Sequence, residues 1–483
     1  MVPEIALTSQ LINRVRKRFD DSLVALYHSG LSEGERYDQW RKMKRGVARI
    51  LIGARSAVFV PAVDLRLIVV DEEHDQSYKQ EERLPYNARD LALVRARMQE
   101  AAVVLGSATP DVQTFFNVSR RGFTYLSLPT RVEDRPLPVV HIVDTKEPAV
   151  RRGKDTILSS PLVSALGETL EEGNQSLLLL NRRGFTTFLY CGDCGHVFNC
   201  RHCSVTMTHH LSRNRLKCHY CDYTIETPAI CPECKVGRII SFGAGTEKLL
   251  QEVKALFPGA RVGRLDSDAV TKRADYEAIL SALDKREIDI LVGTQMIAKG
   301  HDFPHVTLVG VVSADSSLNI PDFRASERTF QLLTQVAGRG GRGRSPARVF
   351  IQTINPFHMA VQKAASHDYR GFYEKEIPSR QETGFPPFQR MINIRITSAK
   401  EEKAMELGRL LAETARKHAP SEGIFVLGPA EPPIARIKGK YRRQLLLKGP
   451  DAGPLHDLAA LLLRTAGRRA SDIKVDVDPL NFM

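Results

Sequence analysis

The chain has 483 residues, 42% hydrophobic and 26% charged, a balance that excludes a disordered or fibrous chain and leaves room for about three domains of roughly 150 residues each. Its 69 Lys and Arg outnumber 56 Asp and Glu, and the resulting charge of +13 favours a polyanionic partner. No apolar run approaches the roughly 20 residues that span a bilayer, and the first residues lack the basic and apolar parts of a secretory leader, so the expected location is cytoplasmic.

Helix-like and strand-like segments alternate from the start. A helix is expected over residues 5–19 and a strand over 22–28. Ser32 and Glu35 then stand at capping-box spacing ahead of a helix to about Arg45. A strand over 48–52 leads into Gly53-Ala54-Arg55-Ser56-Ala57. The next apolar run, residues 65–70, ends in Asp71-Glu72-Glu73-His74. A Val, Ile and Leu run this short reads as a strand buried on both faces of a parallel sheet, with Asp71 and Glu72 emerging at its carboxyl end, where open α/β sheets place their chemistry. In a nucleotide-driven enzyme the first carboxylate holds Mg²⁺ and the second orients or deprotonates the attacking water; the tetrapeptide alone also fits a solvated acidic turn. A strand over 101–105 precedes Gly106-Ser107-Ala108-Thr109-Pro110, where Pro110 can open a helix and leave the hydroxyls of Ser107 and Thr109 near the sheet edge. The order is that of a doubly wound α/β sheet.

A leucine run at 177–180 opens a second sheet, which is interrupted after Asn181-Arg182-Arg183-Gly184-Phe185. All eight cysteines then follow as four C-x-x-C pairs: Cys191 with Cys194, Cys200 with Cys203, Cys218 with Cys221, and Cys231 with Cys234. Eight thiolates fit two closed Cys₄ sites, so two structural Zn²⁺ ions are expected rather than disulfides or a redox dithiol. With the thiolates sufficient, His196, His202, His209, His210 and His219 read as surface or DNA-facing side chains. The sheet is expected to resume over 238–242 and to continue with strands over 288–292 and 306–312. The first of these ends in Gly293-Thr294-Gln295-Met296-Ile297-Ala298-Lys299-Gly300-His301-Asp302-Phe303. A helix from about Ala325 runs into Gln335-Val336-Ala337-Gly338-Arg339-Gly340-Gly341-Arg342, where three-residue spacing lets Arg339 and Arg342 present two guanidiniums to one anion, one of them as an arginine finger. The same arginines also fit a helix end on a nucleic-acid backbone.

Gly384-Phe385-Pro386-Pro387-Phe388 marks a boundary. Beyond it a β-α-β-β-α-β order (strands at 391–396, 424–427, 444–448 and 473–477; helices at 401–417 and 454–465) predicts a ferredoxin-like or similar α+β domain. Its central hairpin carries Arg436, Lys438, Lys440, Arg442 and Arg443, a possible nucleic-acid contact.

D-E-E-H, G-S-A-T-P, G-T-Q-M-I-A-K-G-H-D-F and Q-V-A-G-R-G-G-R, in this order around a four-pair cysteine insertion, resemble the primosomal protein N′ family of replication-restart superfamily 2 helicases. The likeness begins at Val2-Pro3-Glu4-Ile5-Ala6-Leu7-Thr8, which looks like motif Ia. It implies two RecA-like domains: residues 1–145, and 146–188 with 238–385, with a two-zinc insertion at 189–237 and the C-terminal domain at 386–483. It also implies ATP and Mg²⁺ as cofactors, with Asp71 and Glu72 serving metal and water and His74 linking the nucleotide state to DNA. Thr294, Gln295, Lys299, Gly300, Asp302 and Gln335 would line the cleft that Arg339 and Arg342 complete. Residues 78–89, with Lys79, Tyr86 and Arg89, resemble the family's aromatic-rich DNA-sensing loop, although such aromatics equally pack a domain surface. The outer cysteine pairs would share one zinc and the inner pairs the other.

The function so implied is a 3′ to 5′ DNA helicase that restarts stalled forks. Its partners would be DNA forks, single-stranded DNA, primosome proteins, single-strand binding protein and the machinery that loads the replicative helicase, at the bacterial nucleoid. The chain starts almost at motif Ia and carries no G-x-x-x-x-G-K-[ST] loop, so a longer reading frame is expected upstream and this chain by itself is expected not to run as a motor. The alternative is a non-hydrolysing, zinc-stabilised DNA-binding or primosome-assembly scaffold.

Overall fold

The computed structural model describes every residue except 4–7, 83, 121, 131–135, 151, 154–155, 181–187, 204, 211–213, 242–245, 267–272, 295–302, 341–346, 420–422 and 483. The chain divides into two units, Met1–Thr124 with Asp476–Leu480, and Tyr125–Val475 with Asn481–Met483.

In the first unit Val24–Tyr27 pairs in parallel with Ile50–Gly53, and Leu67–Val70 with Ala102–Leu105. The two pairs meet through the start of the chain. The Val2 amide donates to the Gly53 carbonyl at 3.0 Å, and the Asp71 amide donates to the Met1 carbonyl at 3.0 Å. The helix Glu33–Lys44 opens with the expected reciprocal cap: Ser32 Oγ accepts the Glu35 amide, and the Glu35 carboxylate accepts the Ser32 amide at 2.8 Å. The helix Ala88–Met98 lays Ala88, Ala92 and Ala96, four apart and hence on one face, against Ile68 and Val70. The strand ahead of the D-E-E-H turn is therefore buried on one face only. Leu67 and Val69, on the other, are 53% and 45% exposed, which corrects the two-faced burial read from its composition. An apolar run is compatible with either arrangement; the alternation appears only once the covering helix is known.

The second unit contains a six-stranded parallel sheet in the order Val262–Leu265, Ile290–Gly293, Gln175–Leu179, Val306–Val311, Arg348–Thr353, Val139–Asp144. The strand Val139–Asp144 thus belongs to the second sheet, although the expected boundary at 145 placed it with the first domain. Gln175–Leu179 lies near the middle and is buried at every residue, and the helix Ser160–Glu171 packs Leu162, Ala165 and Leu166 over it and its neighbours. The segment expected to resume this sheet at 238–242 does not do so. Ile239–Ser241 pairs antiparallel with Leu189–Cys191 and closes the base of the cysteine insertion. Both strands flank the inserted residues, so their pairing seals the insertion as its own unit of hydrogen bonding.

Within the insertion Thr208–His210, Arg215–Lys217 and Thr224–Glu226 form a three-stranded antiparallel sheet. The helix Tyr369–Thr383 stops at Gly384, whose φ of +62° suits glycine, and the C-terminal domain follows. Its strands lie in the order Phe425–Ala430, Lys440–Gly449, Arg390–Ser398, Ile473–Val477, as a ferredoxin-like fold requires. The helices Glu401–His418 and Ala452–Ala466 cover one face, where Ile392, Ile394, Ile396, Leu445 and Leu447 point. Met391 and Leu446, on the opposite face, join a cluster with Cys200, Cys203, Cys218 and Tyr220 of the insertion. Among the described residues no helix is long and apolar enough to cross a membrane.

Candidate nucleotide and metal sites

The turn after Leu67–Val70 holds Asp71, Glu72, Glu73 and His74 in four different environments. Asp71 is exposed, open to a cation, and its backbone carbonyl accepts a 2.7 Å hydrogen bond from the hydroxyl of buried Tyr78. Burial and the surrounding carboxylates push the Tyr78 hydroxyl pKa well up, so it stays a donor. Glu72 has a φ of +46°, a left-handed backbone that a residue with a Cβ adopts only under constraint. The constraint lies on both sides: Tyr78 holds Asp71, and Glu73 is fixed by the network described next.

Glu73 is 2% exposed and accepts from Arg89 Nη1 at 3.1 Å, the Asp111 amide at 2.7 Å and Thr114 Oγ1 at 3.0 Å. Burial raises its pKa to about 7 against the opposing pull of the Arg89 guanidinium. His74 is also buried. Its Nδ1 and Ser107 Oγ share a 2.7 Å hydrogen bond, Glu72 Oε2 lies 3.7 Å from the same nitrogen, and Ser107 Oγ accepts the Thr109 amide at 2.9 Å. The D-E-E-H and G-S-A-T-P turns are therefore joined by His74 with Ser107 and by the Glu73 amide on the Gly106 carbonyl at 3.0 Å, and the Glu73 carboxylate also holds the helix Val112–Arg120 that follows. Glu73, Arg89 and Tyr78, which support the expected Asp71, Glu72 and His74, carry no sequence signal of that role, because no spacing rule links positions 73, 89 and 114.

The aromatic-rich segment is placed differently from its expected role. Arg89 is turned inward onto Glu73 and Asp90. Lys79 is buried, with Nζ 2.8 Å from Asp476 Oδ1 and donating to the carbonyls of Val477 and Asp478. Neither is a DNA-facing base. Arg55, of the Gly53-Ala54-Arg55 turn, donates to the carbonyls of Ser77 and Lys79 and holds the root of the segment. Among its described residues Glu82 and Leu84 are exposed, and half-buried Tyr86 meets exposed Phe59 edge to face at 5.0 Å.

Of the cleft residues expected in the second unit, Thr294 follows the strand Ile290–Gly293 and donates its amide to the Leu265 carbonyl. Gln335 is half-buried in the helix Ala325–Ala337. Arg339 is buried two residues beyond that helix, its amide on the Val336 carbonyl, so it sits on a separate turn rather than on the expected continuous helix. Gly338 ends the regular helix while keeping right-handed φ and ψ of −65° and −10°, and the chain tightens to three-residue turns beyond it. Gln295, Lys299, Gly300, Asp302 and Arg342 lie outside the described residues.

The thiols gather as Cys191, Cys194, Cys231 and Cys234, and as Cys200, Cys203, Cys218 and Cys221, each set within 4.8 Å. Closest Sγ pairs are 3.7 Å for Cys191 with Cys234, 3.7 Å for Cys194 with Cys231, and 3.6 Å for Cys200 with Cys221. A tetrahedron with Zn–S bonds of about 2.3 Å has edges of about 3.8 Å, so both sets fit structural zinc. Outer pairs combine with outer and inner with inner, as the resemblance implied. Two of the histidines expected at the surface are buried instead: His219 hydrogen-bonds through Nδ1 to the Glu431 carbonyl at 2.6 Å, and His209 Nε2 meets Asn214.

Two α/β halves, a D-E-E-H turn bonded to a G-S-A-T-P turn, and an insertion built on two Cys₄ sets define a helicase core with two thiol sets suited to structural zinc. Family models match accordingly: DEAD/DEAH box helicase over residues 1–117, the PriA DNA helicase Cys-rich region over 200–225, the helicase conserved C-terminal domain over 228–344, and the primosomal protein N C-terminal domain over 381–480. The replication restart protein PriA of Bacillus subtilis is 43% identical over the whole of this chain, which covers 60% of that protein; that of Synechocystis is also 43% identical, with 59% covered. The Rickettsia felis protein is 36% identical and 74% covered. The chain belongs to the replication restart protein PriA family. It spans about 60% of the length of the Bacillus and Synechocystis relatives.

Proposed function

We propose that this chain forms the motor and DNA-handling part of an ATP-dependent 3′ to 5′ DNA helicase that acts at stalled replication forks. The observation that carries the reading is the 2.7 Å bond between His74 and Ser107 beside exposed Asp71 and strained Glu72. It ties the carboxylates suited to Mg²⁺ and water to a second turn that can report on bound nucleic acid. Asp71 is open to hold the ion, Glu72 to orient the water, and His74 to relay movement between the two turns. Bound Mg²⁺ would neutralise charge on the transferring phosphate of ATP. Family membership and a charge of +13 support forked and single-stranded DNA as partners at the nucleoid, together with primosome proteins, single-strand binding protein and the replicative-helicase loader.

The test is Mg²⁺-dependent ATP hydrolysis with and without forked DNA, in the form of the protein that includes a phosphate-binding loop. Glu72→Gln should abolish DNA-stimulated turnover, a loss of at least 10²-fold, while DNA binding is retained. Turnover that survives the substitution overturns the role of Glu72. A parent protein that binds DNA and never hydrolyses ATP establishes the scaffold reading instead.

A further inference from the structure

The two cysteine sets differ in what they hold. The Cys191 and Cys194 loop encloses Gly192 and Asp193, and Asp193 Oδ2 accepts the amide of Arg238, which adjoins the same insertion base. Cys194 is exposed. Three of the four inner cysteines, Cys200, Cys203 and Cys218, are buried, and the set lies where three parts of the second unit meet. The Cys218 and Cys221 loop encloses His219 and Tyr220, and both reach outside the insertion. The His219 carbonyl accepts from Gln444 Nε2, and its ring bonds the Glu431 carbonyl. The Tyr220 ring lies 4.7 Å from Phe482 and 6.1 Å from Phe385, which stacks on Phe323 at 4.5 Å. Beside the loop, Lys217 bridges Asp222 at 2.8 Å and Glu431 at 2.9 Å.

We propose that the inner set, Cys200, Cys203, Cys218 and Cys221, is a metal-dependent lock that docks the C-terminal domain onto the insertion and the second helicase domain, whereas the outer set closes the base of the insertion, beside Ile354 and Lys146 at Gly195, and takes no part in seating the C-terminal domain. A two-residue loop between thiolates keeps its shape only while both thiolates sit on one ion. The contacts of His219 and Tyr220 to Glu431, Gln444, Phe385 and Phe482 therefore depend on that ion. The C-terminal domain does not depend on it for its own core, which Ile392, Ile394, Leu411, Leu445, Leu458 and Leu462 form on the opposite sheet face. Metal loss at the inner set should release the domain from its seat without unfolding it. Linkage demands the reverse effect too: if the ion favours docking, docking must tighten the ion by the same factor.

Both directions are testable on the full chain. Cys218→Ser should retain one zinc per chain and show faster hydrogen exchange over residues 385–391 and 427–446, with the helices Glu401–His418 and Ala452–Ala466 still protected. Cys194→Ser should also lose one zinc but leave those segments unchanged. Gln444→Met and Phe482→Ala change no thiolate, and each should weaken inner-site zinc by about tenfold in competition with a chelator. Unchanged exchange at 427–446 in Cys218→Ser, equal disturbance by Cys194→Ser, or wild-type zinc affinity in both docking variants overturns the proposal. If Cys218→Ser fails to fold, the two docking variants decide it.

Discussion

Glu73 is the carboxylate of its turn that is least able to serve as a general base towards solvent, because Arg89, Thr114 and the Asp111 amide occupy it inside the fold. Its pKa of about 7 lies above the ordinary 4.5, so the folded chain binds this proton more tightly than the unfolded chain. The stability it contributes is present below about pH 4.5 and is lost as pH rises through 7. Urea unfolding of Glu73→Gln should accordingly show a flatter pH dependence between those values than the parent, and parallel curves would refute the assignment. Residues like this mark the limit of sequence reading. The two cysteine sets are legible because ligand spacing is a short-range pattern, and Asp71, Glu72 and His74 are candidates on the same kind of ground. Lys79 and Arg89 lie in a segment that resembles a DNA-sensing loop or equally packs a domain surface, yet both turn inward, and one partner of Lys79 lies 398 residues along the chain. No local pattern carries that information.

At the level of elements, periodicity finds the C-terminal order and part of both α/β domains, but the strands Val262–Leu265 and Arg348–Thr353 and the helix Ser160–Glu171 are absent from the expectations, and pairing between strands escapes it. Ile239–Ser241 has the composition of a core strand and joins Leu189–Cys191 because the cysteine insertion must be closed at its base. Val139–Asp144 lies before the expected boundary at 145 with no strand expected there, and its pairing with Arg348–Thr353 makes it the edge of the second sheet. Packing can be probed where the sheet tolerates least. Gly310, in the strand Val306–Val311, faces Leu178 and Leu162, and an added Cβ would lie 2.6 Å from Leu178 Cδ2 and 3.0 Å from Leu162 Cδ1. Both leucines are fully buried and have little room to retreat. Gly310→Ala should destabilise the second unit by about 1–3 kcal/mol, visible as a lower denaturation midpoint. A midpoint at or above that of the parent would show the core to be looser there than drawn.

Over the whole molecule, the charge of +13 becomes informative once buried bases are separated from exposed ones. In the C-terminal hairpin Arg442 and Arg443 are turned inward, Arg443 onto Glu401 at 2.7 Å and Arg442 onto the Ile434 carbonyl. The tip keeps Arg436, Lys438 and Lys440 in solvent, with the Arg436 guanidinium 4.8 Å from the Tyr441 ring. Only these three of the five bases can meet a phosphate backbone without rearranging the domain. Each phosphate neutralised on a single strand releases counterions and adds about 0.7 to the slope of log affinity against log salt concentration. If the tip touches DNA, replacing Arg436, Lys438 and Lys440 with alanine should lower that slope by about 2 for an oligo-dT strand. Replacing the buried pair should change stability and leave the slope alone. A slope unaffected by the tip substitutions would assign the positive field to other surfaces and leave the hairpin a solubilising edge. Equal losses from tip and buried substitutions would instead mean that the hairpin must refold to bind.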